Sequence, residues 1–147
     1  MSRTYEITVD LKATPEEVFR AVSEPEEIKK WFAPIVRSDK RVGGEFFVSW
    51  SDETGPSSTI SSWDPPTHTG GYKDRSFAYS NTGAEVETGT TRRISVDYYI
   101  EALGGGITRL RIVGSGYGDE APWDGEIESM KSGWKQFVEK LKEIVEK

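Results

Sequence analysis

The sequence predicts an α+β domain in which one long helix lies across a face of an antiparallel sheet. Three observations carry this. Residues 123–147 place Trp123, Ile127, Met130, Trp134, Phe137, Val138, Leu141, Ile144 and Val145 at intervals of three and four, one stripe on a helix of period 3.6. Tyr5, Ile7, Val9 and Leu11 alternate with Glu6, Thr8, Asp10 and Lys12, and Ile94, Val96, Tyr98 and Ile100 alternate with polar residues in the same way, the period of a half-buried strand. Between these ends run two short helical signals and a series of strands broken by turns, with no internal repeat and no linker.

Each element has its own local reason. After the first strand, Thr14 is a good N-cap, Pro15 a good first helical residue, and Glu17 stands three residues after the cap as in a capping box. Val18, Phe19 and Val22 form that helix's apolar face. Pro25-Glu26-Glu27 restarts helix formation, and a second short helix is expected to reach about Lys30 with Ile28, Trp31 and Phe32 turned inward, before Pro34 ends it. Residues 35–39 read as a short strand, Gly43-Gly44 as a turn, and Phe46, Val48 and Trp50 as one face of the next strand. Residues 59–64 read as a strand closed by Pro65-Pro66, and 67–73 as a strand weakened by Gly70-Gly71. The stretch 76–91, rich in Gly, Thr, Ser and Asn, reads as a long loop with one short strand near residues 77–79. Strands over 93–102 and 107–114 are joined by Gly104-Gly105-Gly106, with Leu110 and Ile112 inward and Arg109 and Arg111 outward. Pro122 opens the long helix, with Asp119, Glu120 and Asp124 near its positive dipole end.

Composition bounds the function. At 147 residues, a single domain over 1–147 is expected, and 30% charged with 35% apolar residues is ordinary for a soluble one. The absence of cysteine removes disulfides, thiol nucleophiles and thiolate metal sites and fits a cytoplasmic setting. A net charge of −6 with only short basic pairs, Lys40-Arg41 and Arg92-Arg93, argues against nucleic acid. No apolar run approaches the roughly 20 residues of a membrane span, and the first residues carry no signal-peptide core. Five Trp, six Tyr and six Phe are many for this length; such side chains fill cores, and they also line apolar pockets.

Chemistry is sparse. His68 is the only histidine, so no two-His metal site forms, and no metal or cofactor is expected. There is no Gly-x-Ser-x-Gly elbow and no phosphate loop, and whether the chain is an enzyme stays open. Glu45, Asp64, Asp97 and Glu101 fall in strands; alternation sends Asp97 and Glu101 to the solvent face and leaves Asp64, beside Trp63, as the weak acid–base candidate.

The chain resembles the START-like (SRPBCC) superfamily, and within it the family named after the heat-shock protein 90 ATPase activator homologue, which is polyketide cyclase-like. Four pieces carry the resemblance. The first joins Ala13-Thr14-Pro15-Glu16-Glu17-Val18-Phe19 to Pro25-Glu26-Glu27-Ile28-Lys29-Lys30-Trp31-Phe32-Ala33-Pro34. The others are Val42-Gly43-Gly44-Glu45-Phe46, Ser62-Trp63-Asp64-Pro65-Pro66-Thr67-His68, and the pair Gly106-Ile107-Thr108-Arg109-Leu110-Arg111-Ile112 and Gly133-Trp134-Lys135-Gln136-Phe137 with Leu141. Where the family pattern leads one to expect a histidine in the last strand, this chain has Gly114. The resemblance implies a helix-grip fold: a curved antiparallel sheet of about seven strands wrapped on the long C-terminal helix, with two short helices after the first strand. It also implies a cavity for a small apolar molecule between sheet and helix. The candidate ligand-binding residues are Trp31, Trp50, Trp63, Tyr98, Met130, Trp134 and Phe137, and the mid-helix Gly133 is expected to relieve a close approach by a loop or ligand. Two other readings stand beside ligand binding: a polyketide cyclase-type enzyme using a cavity Tyr, Asp or His, and a chaperone-interacting module.

Overall fold

Strand β1 (Ser2–Lys12) runs into helix α1 (Pro15–Ser23) through the expected capping box, the Thr14 hydroxyl accepting from the Glu17 N–H at 3.2 Å while the Glu17 carboxylate accepts from the Thr14 N–H at 2.9 Å. This computed structural model describes residues 2–53, 57–64, 76–88 and 90–146, with side chains described for 3–53, 57–63 and 94–146. Helix α2 (Pro25–Ile28) is shorter than its sequence suggests. Lys30 and Trp31 donate backbone hydrogen bonds to Glu27 and Ile28, three residues back, so the chain tightens into turns and does not reach Lys30 as an α-helix.

Six further strands follow: β2 (Ile35–Ser38), β3 (Glu45–Ser49), β4 (Ser58–Asp64), β5 (Ser76–Thr88), β6 (Thr90–Gly104) and β7 (Ile107–Gly118). Among the described residues they form with β1 one antiparallel sheet in the order β1-β7-β6-β5-β4-β3-β2, which leaves β1 and β2 at its edges. Helix α3 (Pro122–Val145) completes the fold, with Pro122 in its first turn.

Two readings of the middle are corrected. The stretch 76–91 is not a loop: β5 runs 13 residues and pairs with β4 on one side and β6 on the other. Its polar composition gives no apolar alternation, yet its backbone pairs with β6 from Ser76 to Thr88 and with β4 from Ala78 to Thr82. Gly83 falls at the register shift between Thr82 and Ala84, where a strand tolerates an extra residue. Trp50 is not the inward end of a strand face. It lies beyond β3 and is 58% exposed, whereas Phe46 and Phe47 are both buried, Phe47 on the opposite face beneath the Arg37 guanidinium at 4.2 Å. The strand expected over 67–73, and with it His68, lies outside the described residues, as does the side chain of Asp64.

The core sits between sheet and α3. Trp123, Ile127, Trp134, Val138 and Leu141 of α3 are buried against Tyr5 and Leu11 of β1, Ile94, Tyr98 and Ile100 of β6, and Leu110 and Ile112 of β7. The outer face is charged: Arg109 grips Asp10 at 2.8 and 3.1 Å, and Arg111 reaches Glu6 at 3.4 Å while lying over the Tyr99 ring. Gly104, Gly105 and Gly106 all have positive φ, which an L side chain resists, and turn β6 into β7.

Candidate functional site

An aromatic column runs from the surface into the molecule between α2, α3 and the sheet. Its outer end is Trp50, whose indole N–H donates to the Phe32 carbonyl at 3.1 Å and whose ring meets Phe32 edge-on and faces Phe137. Phe32 packs against Phe137 at 4.6 Å and stacks on Trp134 at 5.3 Å, the two planes only 17° apart. Trp134, 2% exposed, also meets Tyr98 at 6.1 Å and Trp31 at 6.3 Å. The Trp31 N–H is tied to the Ala21 carbonyl at 2.8 Å, which fixes that ring against α1. Local sequence places these rings. The turn after α2 delivers Trp31 and Phe32 together, and the i, i+3 spacing of Trp134 and Phe137 puts them on one face of α3.

At its inner end the column becomes polar. The Trp134 indole N–H donates to the Tyr5 hydroxyl at 2.7 Å, and the Tyr117 hydroxyl bonds the same oxygen. Tyr5 lies over Gly114, its partner in the β1–β7 register, and a Cβ at Gly114 would fall 2.3 Å from two atoms of the Tyr5 ring. The position at which a histidine was expected is thus covered by a tyrosine from the neighbouring strand. Burial pushes both phenols above the ordinary value of 10.0, Tyr117 far above it, and the negative charge of Glu126 on α3 adds to both shifts. Both hydroxyls therefore remain protonated at neutral pH, able to donate hydrogen bonds and unsuited to accepting protons as general bases.

Of the residues singled out from sequence, Trp31, Trp50, Tyr98, Trp134 and Phe137 meet in this column. Met130 is half-buried against the same core, and Trp63 is half-buried with its ring edge-on to Phe19 at 5.2 Å. Sequence reasoning missed Tyr5, Tyr117 and the central part played by Phe32. Tyr5 belonged to a legible inward face, but its partners Tyr117 and Trp134 are 112 and 129 positions away, and only the fold brings them together. Gly133 does not relieve a close approach by any described residue: a Cβ there would meet only Phe137, at an ordinary 3.9 Å. Among the described residues no group of three His, Asp or Glu is placed to hold a metal, and no helix is long and apolar enough to cross a membrane. Grooves elsewhere suit polar contacts: one of about 320 Å³ is lined by Arg3, Asp124, Glu128 and Lys131 with Thr4 and Ile127.

Solved structures share this architecture. A Mesorhizobium loti protein is 22% identical with a TM-score of 0.74, the match covering 96% of this chain and 95% of that one. CalU16 from Micromonospora echinospora is 21% identical with a TM-score of 0.69, over 98% of this chain and 74% of that one. The Aha1 dimer from Colwellia psychrerythraea is 18% identical with a TM-score of 0.68, over 98% and 96%. At such identities the likeness is one of fold. No curated protein matches the chain. The family model described as activator of Hsp90 ATPase homolog 1-like protein matches residues 12–146, nearly the whole chain, and this protein belongs to that family.

Proposed function

We infer that this protein binds a small hydrophobic, aromatic molecule between its sheet and helix α3. The observation that carries this reading is the continuous run of rings from the exposed Trp50 to the buried Trp134. A tryptophan left 58% exposed while its N–H is held by a backbone carbonyl is a positioned ring, and its exposed surface at the mouth of the column suits stacking by a planar guest. The raised pKa values of the two interior tyrosines favour binding over base catalysis of the cyclase kind. The test is a fluorescence and calorimetric screen of the full chain with lipids, flavonoids and polyketide-like compounds. A true ligand quenches tryptophan emission saturably and, at a hundred times its Kd, adds about 2.7 kcal/mol to unfolding stability. No binding across the panel, with an unchanged melting curve, overturns the reading.

Family membership supports a second reading, a chaperone-interacting module. It predicts a change in a purified chaperone's ATPase rate on adding this chain, and an unchanged rate removes it.

A further inference from the structure

One long edge of the sheet is covered at both ends and open in the middle. β1 pairs with β7 on one side, and its other side is the sheet edge. The Lys12 N–H turns away from β7 and donates to the Glu146 carboxylate at 2.9 Å, and the Asp10 carbonyl accepts from Lys142 at 3.4 Å. The register runs without a shift from Tyr5 to Lys12, so alternation sends the N–H and C=O groups of Thr8 and Glu6 to the same outer side. At the far end the Arg3 guanidinium is engaged with Gly118, Glu120 and Asp124. Between these covered ends Ile7 and Val9 are only half-buried on the inner face, whereas Tyr5 and Leu11, which flank them, are buried. The opposite edge, β2, is only four residues long, the kind of short edge that resists further pairing.

Helix α3 lies nearest this edge and runs beside it in the same direction, Asp124 tied to Arg3 and Glu146 to Lys12. The strand and the helix between those ties both span about 30 Å, so Ile7 is level with the turn of α3 around Lys135. An antiparallel copy of β1 added about a twofold axis at Ile7 sets α3 beside the partner's α3 in the reverse direction. Glu128 then falls opposite the partner's Lys142, and Lys131 opposite the partner's Glu139, each pair occurring twice. Asp124 faces the partner's Glu146, but each is already held by a cation of its own chain. Lys135 faces its own counterpart and, being exposed, turns to solvent. Along the strands the same register sets Glu6 opposite the partner's Thr8 and Asp10 opposite the partner's Thr4, which keeps like charges apart. It also covers Ile7 and Val9.

We propose that the β1 edge is a self-association surface, on which a second copy of this chain adds its β1 antiparallel and continues the sheet across a twofold axis. The charge order along α3 selects a second copy over an unrelated strand, because Glu128 and Lys131 are complemented by Lys142 and Glu139 once the helix is reversed. The surface is distinct from the aromatic column, and the association does not depend on a ligand.

The test is sedimentation of the full chain over about 1–300 μM, the range in which a small interface associates. The wild type is expected to approach twice the mass of one chain as concentration rises. Thr8→Pro removes an N–H from the free side alone, a change that edge strands tolerate; it should melt near the wild type and sediment as a monomer. Lys131→Glu should weaken the dimer about ten-fold, since it turns two exposed attractive pairs repulsive, and adding Glu139→Lys should restore it. A wild type that stays monomeric throughout overturns the proposal and would leave the edge to a strand of another protein. A dimer that Thr8→Pro leaves intact overturns it too, as does a double variant no tighter than Lys131→Glu. If Thr8→Pro does not fold, the charge exchange decides, because both of its positions are exposed. Ligand titration of the monomeric variant keeps the two questions apart: binding there is expected to match the wild type, and binding lost together with the dimer overturns the separation of the two surfaces.

Discussion

At the scale of single residues, Gly114 and Trp134 show how narrow the tolerances are in the interior. Gly114 is there because the Tyr5 ring occupies the space above it; a methyl group would lie 2.3 Å from that ring. Gly114→Ala should therefore destabilise the protein by about 1–3 kcal/mol, the cost of overpacking, although alanine is otherwise the milder residue in a strand. Denaturant melts check this, and a variant as stable as wild type would show that Tyr5 is free to move away. Trp134 is buried against Trp31, Phe32, Tyr98 and Phe137, and its N–H also holds the Tyr5 oxygen. Trp134→Ala should cost about 3–5 kcal/mol, as other large buried aromatics do. A loss within about 0.5 kcal/mol, the range of surface substitutions, would contradict the observed burial. The stripe on α3 was enough to predict that Trp134 turns inward. That its N–H meets a tyrosine from β1 was not readable, because no spacing rule connects position 134 with position 5.

At the scale of elements, the helices were more legible than the strands. The capping box at Thr14 and Glu17 is a local device, closed within four residues, so sequence alone predicts it and the structure contains it. Thr14→Ala should cost about 1 kcal/mol, measurable as a shift in the denaturation midpoint without a change in slope. Gly133 is the opposite case. A mid-helix glycine invites a functional explanation, yet the space beside it is open to an ordinary contact with Phe137. Gly133→Ala should stabilise α3 by up to about 1 kcal/mol, and a destabilised variant would restore the idea that something approaches the helix closely there. Strand β5 was hidden for a physical reason. Its residues carry no alternating apolar face, and a strand's hydrogen bonds are made to other strands. Residues 76–88 become β5 because β6 pairs along them and β4 pairs with 78–82, and neither neighbour is visible in their own composition.

At the scale of the whole molecule, the two interior phenols link folding to pH. Their pKa values are raised in the folded state, so their contribution is fully present below the ordinary value of 10.0 and is lost as pH rises beyond it, because the unfolded chain ionises first. Stability should fall above pH 10, by up to about 1.4 kcal/mol per pH unit for Tyr117, the more strongly shifted of the two. Melts between pH 9 and about 11.5, followed with phenolate absorbance, check this. Tyr117→Phe should remove one residue's share of the slope, and an unaltered slope would mean that Tyr117 ionises freely in the fold. The acid limb works in the other direction and is shallow. The Arg109 guanidinium lowers the pKa of Asp10, and the Lys12 backbone N–H that of Glu146, so their stabilisation is present above the usual carboxylate range and is lost as pH falls through it, but both groups are exposed and screened. Sequence by itself determined the α+β class, the register of α3, the inward faces of β1 and β6 and the capped start of α1, because each depends on periodicity or on partners a few residues apart. Only tertiary structure decided that β5 exists, that Trp50 ends outside β3 and exposed, and that Tyr5, Tyr117 and Trp134 share one buried hydrogen-bonded cluster over Gly114. Those features depend on segments far apart in the chain packing onto the same volume, and neither propensity nor spacing contains that information.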